Sequence, residues 1–143
     1  MYGDGSKTQA SASDRPLPVV TPLNEEFWAQ AARSVFTIQT CTACGDAHVP
    51  ESPVCPNCLS TDQTWRPAAG TGTLESWCDF HRAYWDGFRD ELPYRVGLVR
   101  LAEGPLYVAR LGGAAASARL GAPVRVGFER LTDTVSIPYF ELA

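Results

Sequence analysis

The sequence predicts a mainly β chain, built as a short N-terminal helix, a small metal ribbon and a five-stranded barrel. Three observations carry that prediction. Cys41, Cys44, Cys55 and Cys58 form two Cys-x-x-Cys pairs in the run CTACGDAHVPESPVCPNC. Five runs rich in β-formers follow residue 70, separated by Gly/Pro turns. Ahead of the cysteines, about residues 22–33 combine helix-start chemistry with helical apolar spacing.

In chain order, residues 1–16 (MYGDGSKTQASASDRP) are small and polar without periodicity, and are expected to be a disordered tail. Residues 17–34 form the helical arm. Thr21 reads as its N-cap, Pro22 as the first helical residue, and Glu25 and Glu26 sit at the positive end of the dipole. Leu23, Phe27, Ala31 and Trp28 make its apolar stripe, which packs either on its own domain or on a partner. Residues 35–66 form the ribbon, opened by a strand in which Phe36 and Ile38 alternate with Thr37 and Gln39. Trp65 covers the ribbon or the seam beyond it. Residues 67–143 form the barrel, with strands near 73–80, 95–101, 106–111, 124–131 and 135–141. A helical or irregular crossing is expected over Ala114 to Leu120, between the third and fourth strands. Five strands with that one longer interruption suit a small Greek-key barrel, most economically an OB-fold.

Each Cys-x-x-Cys turn aims two thiolates at one point, and four thiolates complete a tetrahedral zinc shell with no open position. Such a metal is structural, because no site is left for a catalytic water. A rubredoxin-like iron is the rival that spacing alone does not separate. Two disulfides fit poorly, since the N-terminus lacks a secretory pattern; the thiols point to a reducing cytoplasm.

The chain has 143 residues, 45% hydrophobic and 20% charged, within the range of globular proteins. No apolar run approaches the roughly 20 residues of a membrane helix. A net charge of −4 and a single lysine, Lys7, disfavour nucleic acid as a partner. No catalytic constellation emerges, and the chain is read as noncatalytic on its own. His48, between the cysteine pairs, is expected at the surface, because four thiolates already fill the metal shell. His81 has no Cys or Ser at motif spacing. Cys78 is expected to be a small core residue of the first barrel strand.

Segment 81–92 is the candidate binding surface. It carries Tyr84, Trp85 and Phe88 with Arg82 and Arg89, the residue types that anchor interfaces. Three roles compete: a loop folded over the barrel mouth, a partner-docking loop, and direct contact of Arg82 or Arg89 with the phosphates of an acyl-CoA.

Several pieces occur together in order: Phe27-Trp28, Phe36-x-Ile38-Gln39, the four cysteines, Gly70-x-Gly72, Pro93-Tyr94, Glu103-Gly104 and Gly121-x-x-Val124-x-Val126-x-Phe128. Through them the chain resembles the zinc-ribbon plus OB-fold family associated with thiolases and other acyl-CoA enzymes, over about residues 22–141. The resemblance implies a helix, a rubredoxin-like ribbon and an OB barrel in that order. It implies an accessory or scaffolding subunit that docks on a thiolase-fold enzyme (thiolase, acyltransferase or aldolase) and completes or gates its active site. Some relatives instead pair with a hot-dog-fold enoyl-CoA hydratase. Sterol side-chain and lipid degradation are among the implied settings. The contrasting reading is a single-stranded nucleic-acid module, since both zinc ribbons and OB-folds serve there.

Overall fold

The computed structural model describes residues 15–113 and 118–143. The first fourteen residues of the expected tail and most of the expected 114–120 crossing lie outside the described residues.

Helix α1 spans Glu25–Ala31 and buries Phe27 and Ala31. It begins later than Thr21 predicts. The Thr21 carbonyl accepts from the amides of Asn24 and Glu25, while Asn24 Oδ1 accepts from the Thr21 amide at 2.8 Å. Asn24 therefore closes a turn ahead of the helix, and its Nδ2 donates to Glu51 Oε1 of the ribbon. Leu23 falls in that turn, where helical periodicity does not apply, and is exposed instead of joining the stripe.

The ribbon is a three-stranded antiparallel sheet of β1 (Thr37–Cys41), β2 (Ala47–His48) and β3 (Gln63–Pro67), in the order β2-β1-β3. The barrel comprises β4 (Thr71–Phe80), β5 (Tyr94–Leu101), β6 (Leu106–Gly112), β7 (Pro123–Arg130) and β8 (Ser136–Leu142). It closes in the order β4-β5-β6-β8-β7, with only β6 and β8 parallel. That is the five-stranded Greek-key closure of an OB-fold. Gly72 permits it: a Cβ there would stand 2.4 Å from the Arg100 carbonyl oxygen of β5.

Two hydrophobic layers meet in one core. Leu74, Val99, Leu101, Leu111, Val124 and Phe140 fill the barrel. Phe36, just ahead of β1, stands edge-on to Phe27 of α1 at 5.9 Å, to Tyr107 of β6 at 5.2 Å and to Phe140 of β8 at 5.9 Å. Trp65 of β3 packs on Phe27 at 5.8 Å, which places it at the seam. The helix is thus bound to its own chain through Phe27. Burial, with the Glu51 carboxylate adding to it, pushes the Tyr107 phenol up to about 12, so it stays neutral in this seam.

Cys78 is exposed, contrary to expectation. The register of β4 on β5 shifts between Leu74 and Ser76, making Glu75 an extra residue. A bulge reverses the side-chain alternation beyond it. Trp77 now pairs with the core-facing Gly97, and Cys78 turns outward opposite Val96.

Candidate metal centre and docking loop

The two cysteine turns have the same backbone construction. The Gly45 amide donates to the Cys41 carbonyl at 2.8 Å, and the Leu59 amide donates to the Cys55 carbonyl at 2.9 Å. Both fifth residues take the left-handed conformation, Gly45 at φ +80° and Leu59 at φ +64°. These turns direct the four sulfurs inward. Cys41 Sγ lies 3.6 Å from Cys58 Sγ, and Cys44 Sγ lies 3.7 Å from Cys55 Sγ. All four lie within 4.8 Å of one another, with Cys41 and Cys55 buried and Cys44 and Cys58 exposed.

This geometry fits zinc. A tetrahedron with zinc–sulfur bonds near 2.3 Å has sulfur–sulfur edges of about 3.8 Å. The thiol chemistry fits as well. The Asn57 side chain, with help from the Asp46 backbone, pulls Cys44 down to about 6. At Cys58 the Ser60 amide pulls downward, but partial desolvation and the neighbouring Cys41, Cys44 and Cys55 push the thiol up to about 12. Sulfurs this close cannot all ionise against one another, and a divalent cation at their centre removes that conflict.

His48 is buried, not at the surface as expected. Its strand position on β2 faces Gln39 of β1, and Nε2 lies 2.9 Å from Gln39 Oε1. The Ser52 amide donates to that same oxygen, which is therefore an acceptor, and Nε2 donates to it. Asp46, His48 and Cys55 bring their polar atoms within 4.8 Å of one another, so the imidazole stands behind a sulfur of the cluster. The sequence signal for this is the Gln39–His48 cross-strand pair, readable only once the register is known.

The candidate binding segment divides in two. Tyr84 and Trp85 project outward at 63% and 54% exposure. Arg82 lies over the Tyr84 ring at 5.4 Å, and Arg89 is ion-paired to Asp86 at 2.6 Å on the surface. Phe88 turns inward from the 3-10 turn Asp86–Glu91 and tilts onto Tyr94 at 5.6 Å, beside the stacked Phe80–Tyr94 pair. The folded-back role therefore holds for Phe88, and Tyr84 and Trp85 remain available.

Arg15 corrects the tail boundary. Its guanidinium lies over Phe88 at 5.0 Å and pairs with Glu91 and Glu129, and Glu91 also pairs with Arg110. Carboxylates far away in sequence fix this residue, so nothing local to residues 1–16 announces it. Arg15 and Pro16 close one side of a pocket of about 240 Å³ over Phe88, Tyr94, Leu131, Ile137 and Tyr139. His81 is exposed, near enough to Asp79 to contribute to lowering that carboxyl. No described helix is long and apolar enough to cross a membrane.

A four-cysteine ribbon fused through one core to a closed five-stranded barrel defines a zinc-ribbon OB-fold protein. Residues 28–63 match the rubredoxin-like zinc ribbon domain of ChsH2, and residues 65–129 match the C-terminal OB-fold domain of ChsH2. The chain belongs to the ChsH2 family, and its ribbon is of the structural zinc-binding kind. It is 34% identical to a solved chain described as an Ltp2–ChsH2(DUF35) aldolase, with a TM-score of 0.75, covering 88% of this chain and 98% of that one. A probable enoyl-CoA hydratase alpha subunit from Thermomonospora curvata is 36% identical over 131 residues, or 90% of this chain; the chain spans 40% of that relative's length. A DUF35-family protein of unknown function from Sulfolobus solfataricus shares the fold, at 14% identity and a TM-score of 0.59 over 85% of this chain and 86% of that one.

Proposed function

We propose that this chain is an accessory subunit of an acyl-CoA-processing complex. It docks on a thiolase-fold enzyme of the aldolase type and helps to complete or gate its active site. The observation that carries this reading is the similarity to the Ltp2–ChsH2 aldolase chain, which extends over nearly all of that chain. The relative named as an enoyl-CoA hydratase alpha subunit supports an acyl-CoA setting, and makes a hot-dog-fold hydratase the second partner class. Sterol side-chain or lipid degradation in the cytoplasm is the corresponding biological setting.

Within this proposal Cys41, Cys44, Cys55 and Cys58 hold zinc, which supplies folding energy to the ribbon. The ribbon is a rigid bracket: its loop residue Glu51 is bonded to Asn24 in the turn ahead of α1, and Phe36, just ahead of β1, packs on Phe140 of the barrel. Tyr84 and Trp85 dock, since exposed aromatics on a short loop carry contact area at small entropic cost. Arg82 flanks them, and its guanidinium is the group we assign to a CoA phosphate, which it can pair with bidentately. Arg89 is less free to do so while Asp86 holds it.

The test is reconstitution of acyl-CoA carbon–carbon cleavage by the thiolase-fold enzyme with and without this chain. Activity and solubility of the enzyme should require the chain in equimolar amount. Full activity of the isolated enzyme would overturn the proposal.

A further inference from the structure

Beside the four sulfurs the ribbon carries a second set of metal-ligating groups, two of which the four-thiolate site does not use. Asp46, His48 and Cys55 bring a carboxylate oxygen, an imidazole nitrogen and a sulfur within 4.8 Å of one another. His48 is 8% exposed, and its buried Nδ1 has no hydrogen-bond partner among the described residues. Asp46 Oδ2 lies 3.9 Å from that nitrogen, too far for a hydrogen bond. On the other side of the ring Nε2 donates to Gln39 Oε1 at 2.9 Å, an oxygen that the Ser52 amide also holds at 2.8 Å. In the neutral ring Nδ1 is then a bare lone pair. Metal-binding histidines are built in this way, with one ring N–H given to a fixed oxygen and the other nitrogen left to the ion.

The local charge favours a cation. From Ser34 to Trp65 the chain has no Lys or Arg, while Asp46, Glu51 and Asp62 supply carboxylates. With zinc on the four thiolates, that cluster keeps about two net negative charges. Carboxylate, imidazole and thiolate present electron pairs to one space, and a cation between them satisfies all three. That mixture of donors suits a borderline divalent ion such as zinc or cobalt. Metal bonds near 2.1 Å would draw the Asp46 and His48 donors to about 3.4 Å from each other. Asp46 has room for this adjustment, because its side chain is 39% exposed, and the same opening gives the ion its way in.

We infer that Asp46, His48 and Cys55 form a second, weaker site for a borderline divalent metal, with the Cys55 sulfur bridging it to the structural zinc. Three protein ligands leave one position to water, so this ion exchanges while the four-thiolate zinc is retained. The sulfur bridge needs zinc in the four-thiolate site, and the partner enzyme plays no part in it.

Equilibrium dialysis of the full chain against zinc, followed by elemental analysis, should find about two zinc per chain at high zinc and about one after return to metal-free buffer. Cobalt(II) added to the one-zinc form should bind with a sulfur-to-cobalt charge-transfer band and release no zinc. Asp46→Ala and His48→Gln should each weaken the second ion about 10-fold or more while keeping the first. Should His48→Gln shed the first zinc as well, Asp46→Ala decides alone. Asp62→Asn removes the same charge from outside the set and should bind the second ion within about 2-fold of the natural chain. A single zinc per chain at every zinc concentration would overturn the inference, with a proton on Nδ1 in the place of the metal, and leave the structural zinc standing. Cobalt entering only in exchange for zinc would overturn it too. So would a second ion that ignores Asp46→Ala, or one lost equally in Asp62→Asn. A chain that never holds stoichiometric zinc would instead refute the four-thiolate assignment itself.

Discussion

Replacing Phe36 by alanine removes a side chain that is 2% exposed and touches three rings from three different elements. Phe→Ala in a core costs about 3–5 kcal/mol. The seam has little means of closing the gap, because Tyr107 and Phe140 belong to strands fixed by the barrel and Phe27 is fixed by the helix. A loss of about 4 kcal/mol is therefore expected, a large share of the 5–15 kcal/mol of a typical domain. With a urea slope near 2 kcal/mol/M, the midpoint should drop by about 2 M. The assay follows far-UV circular dichroism and zinc release to a chromogenic chelator in the same titration. Hydrogen exchange at Val99 and Leu101 then reports the barrel alone. All three should weaken together, since one core serves both modules. Protection at Val99 unchanged while zinc release moves, or a loss below about 1 kcal/mol, would refute the shared core.

Cys58→Ser should cost the ribbon its zinc and its sheet, seen as loss of stoichiometric metal by elemental analysis and loss of protection at Ile38 and Trp65. Trp85→Ala, at a 54% exposed position, should change stability by less than about 0.5 kcal/mol and still weaken assembly with the enzyme about 10-fold or more. The Asp79 carboxyl is held below its ordinary value by paired hydrogen bonds from Arg95, despite some desolvation. A depressed carboxylate stabilises the fold above its unfolded value near 4, and that contribution disappears as pH falls through the lower native value. Asp79→Asn should therefore flatten the urea midpoint against pH below about 4, with little change in slope at neutral pH.

Much of this architecture is legible in the chain because its signals are local. Two Cys-x-x-Cys turns need only five residues each to aim their sulfurs, and Gly70-x-Gly72 marks where the barrel strand opens. The five barrel strands fall within a residue or two of their expected bounds. What escaped depends on register or on distant partners. Cys78 turned outward because of one extra residue at Glu75, and His48 turned inward because β2 pairs with Gln39. Phe88 left the exposed set once Tyr94 offered it a ring, and Arg15 left the tail once Glu91 and Glu129 were in reach.

The most direct measurement is a mild affinity purification of this chain from its native cell, with retained proteins identified and their stoichiometry determined. The proposed function predicts recovery of a thiolase-fold enzyme in about equimolar amount, released together with loss of zinc. Recovery of single-stranded nucleic acid or ribonucleoprotein, with no acyl-CoA enzyme, would contradict it.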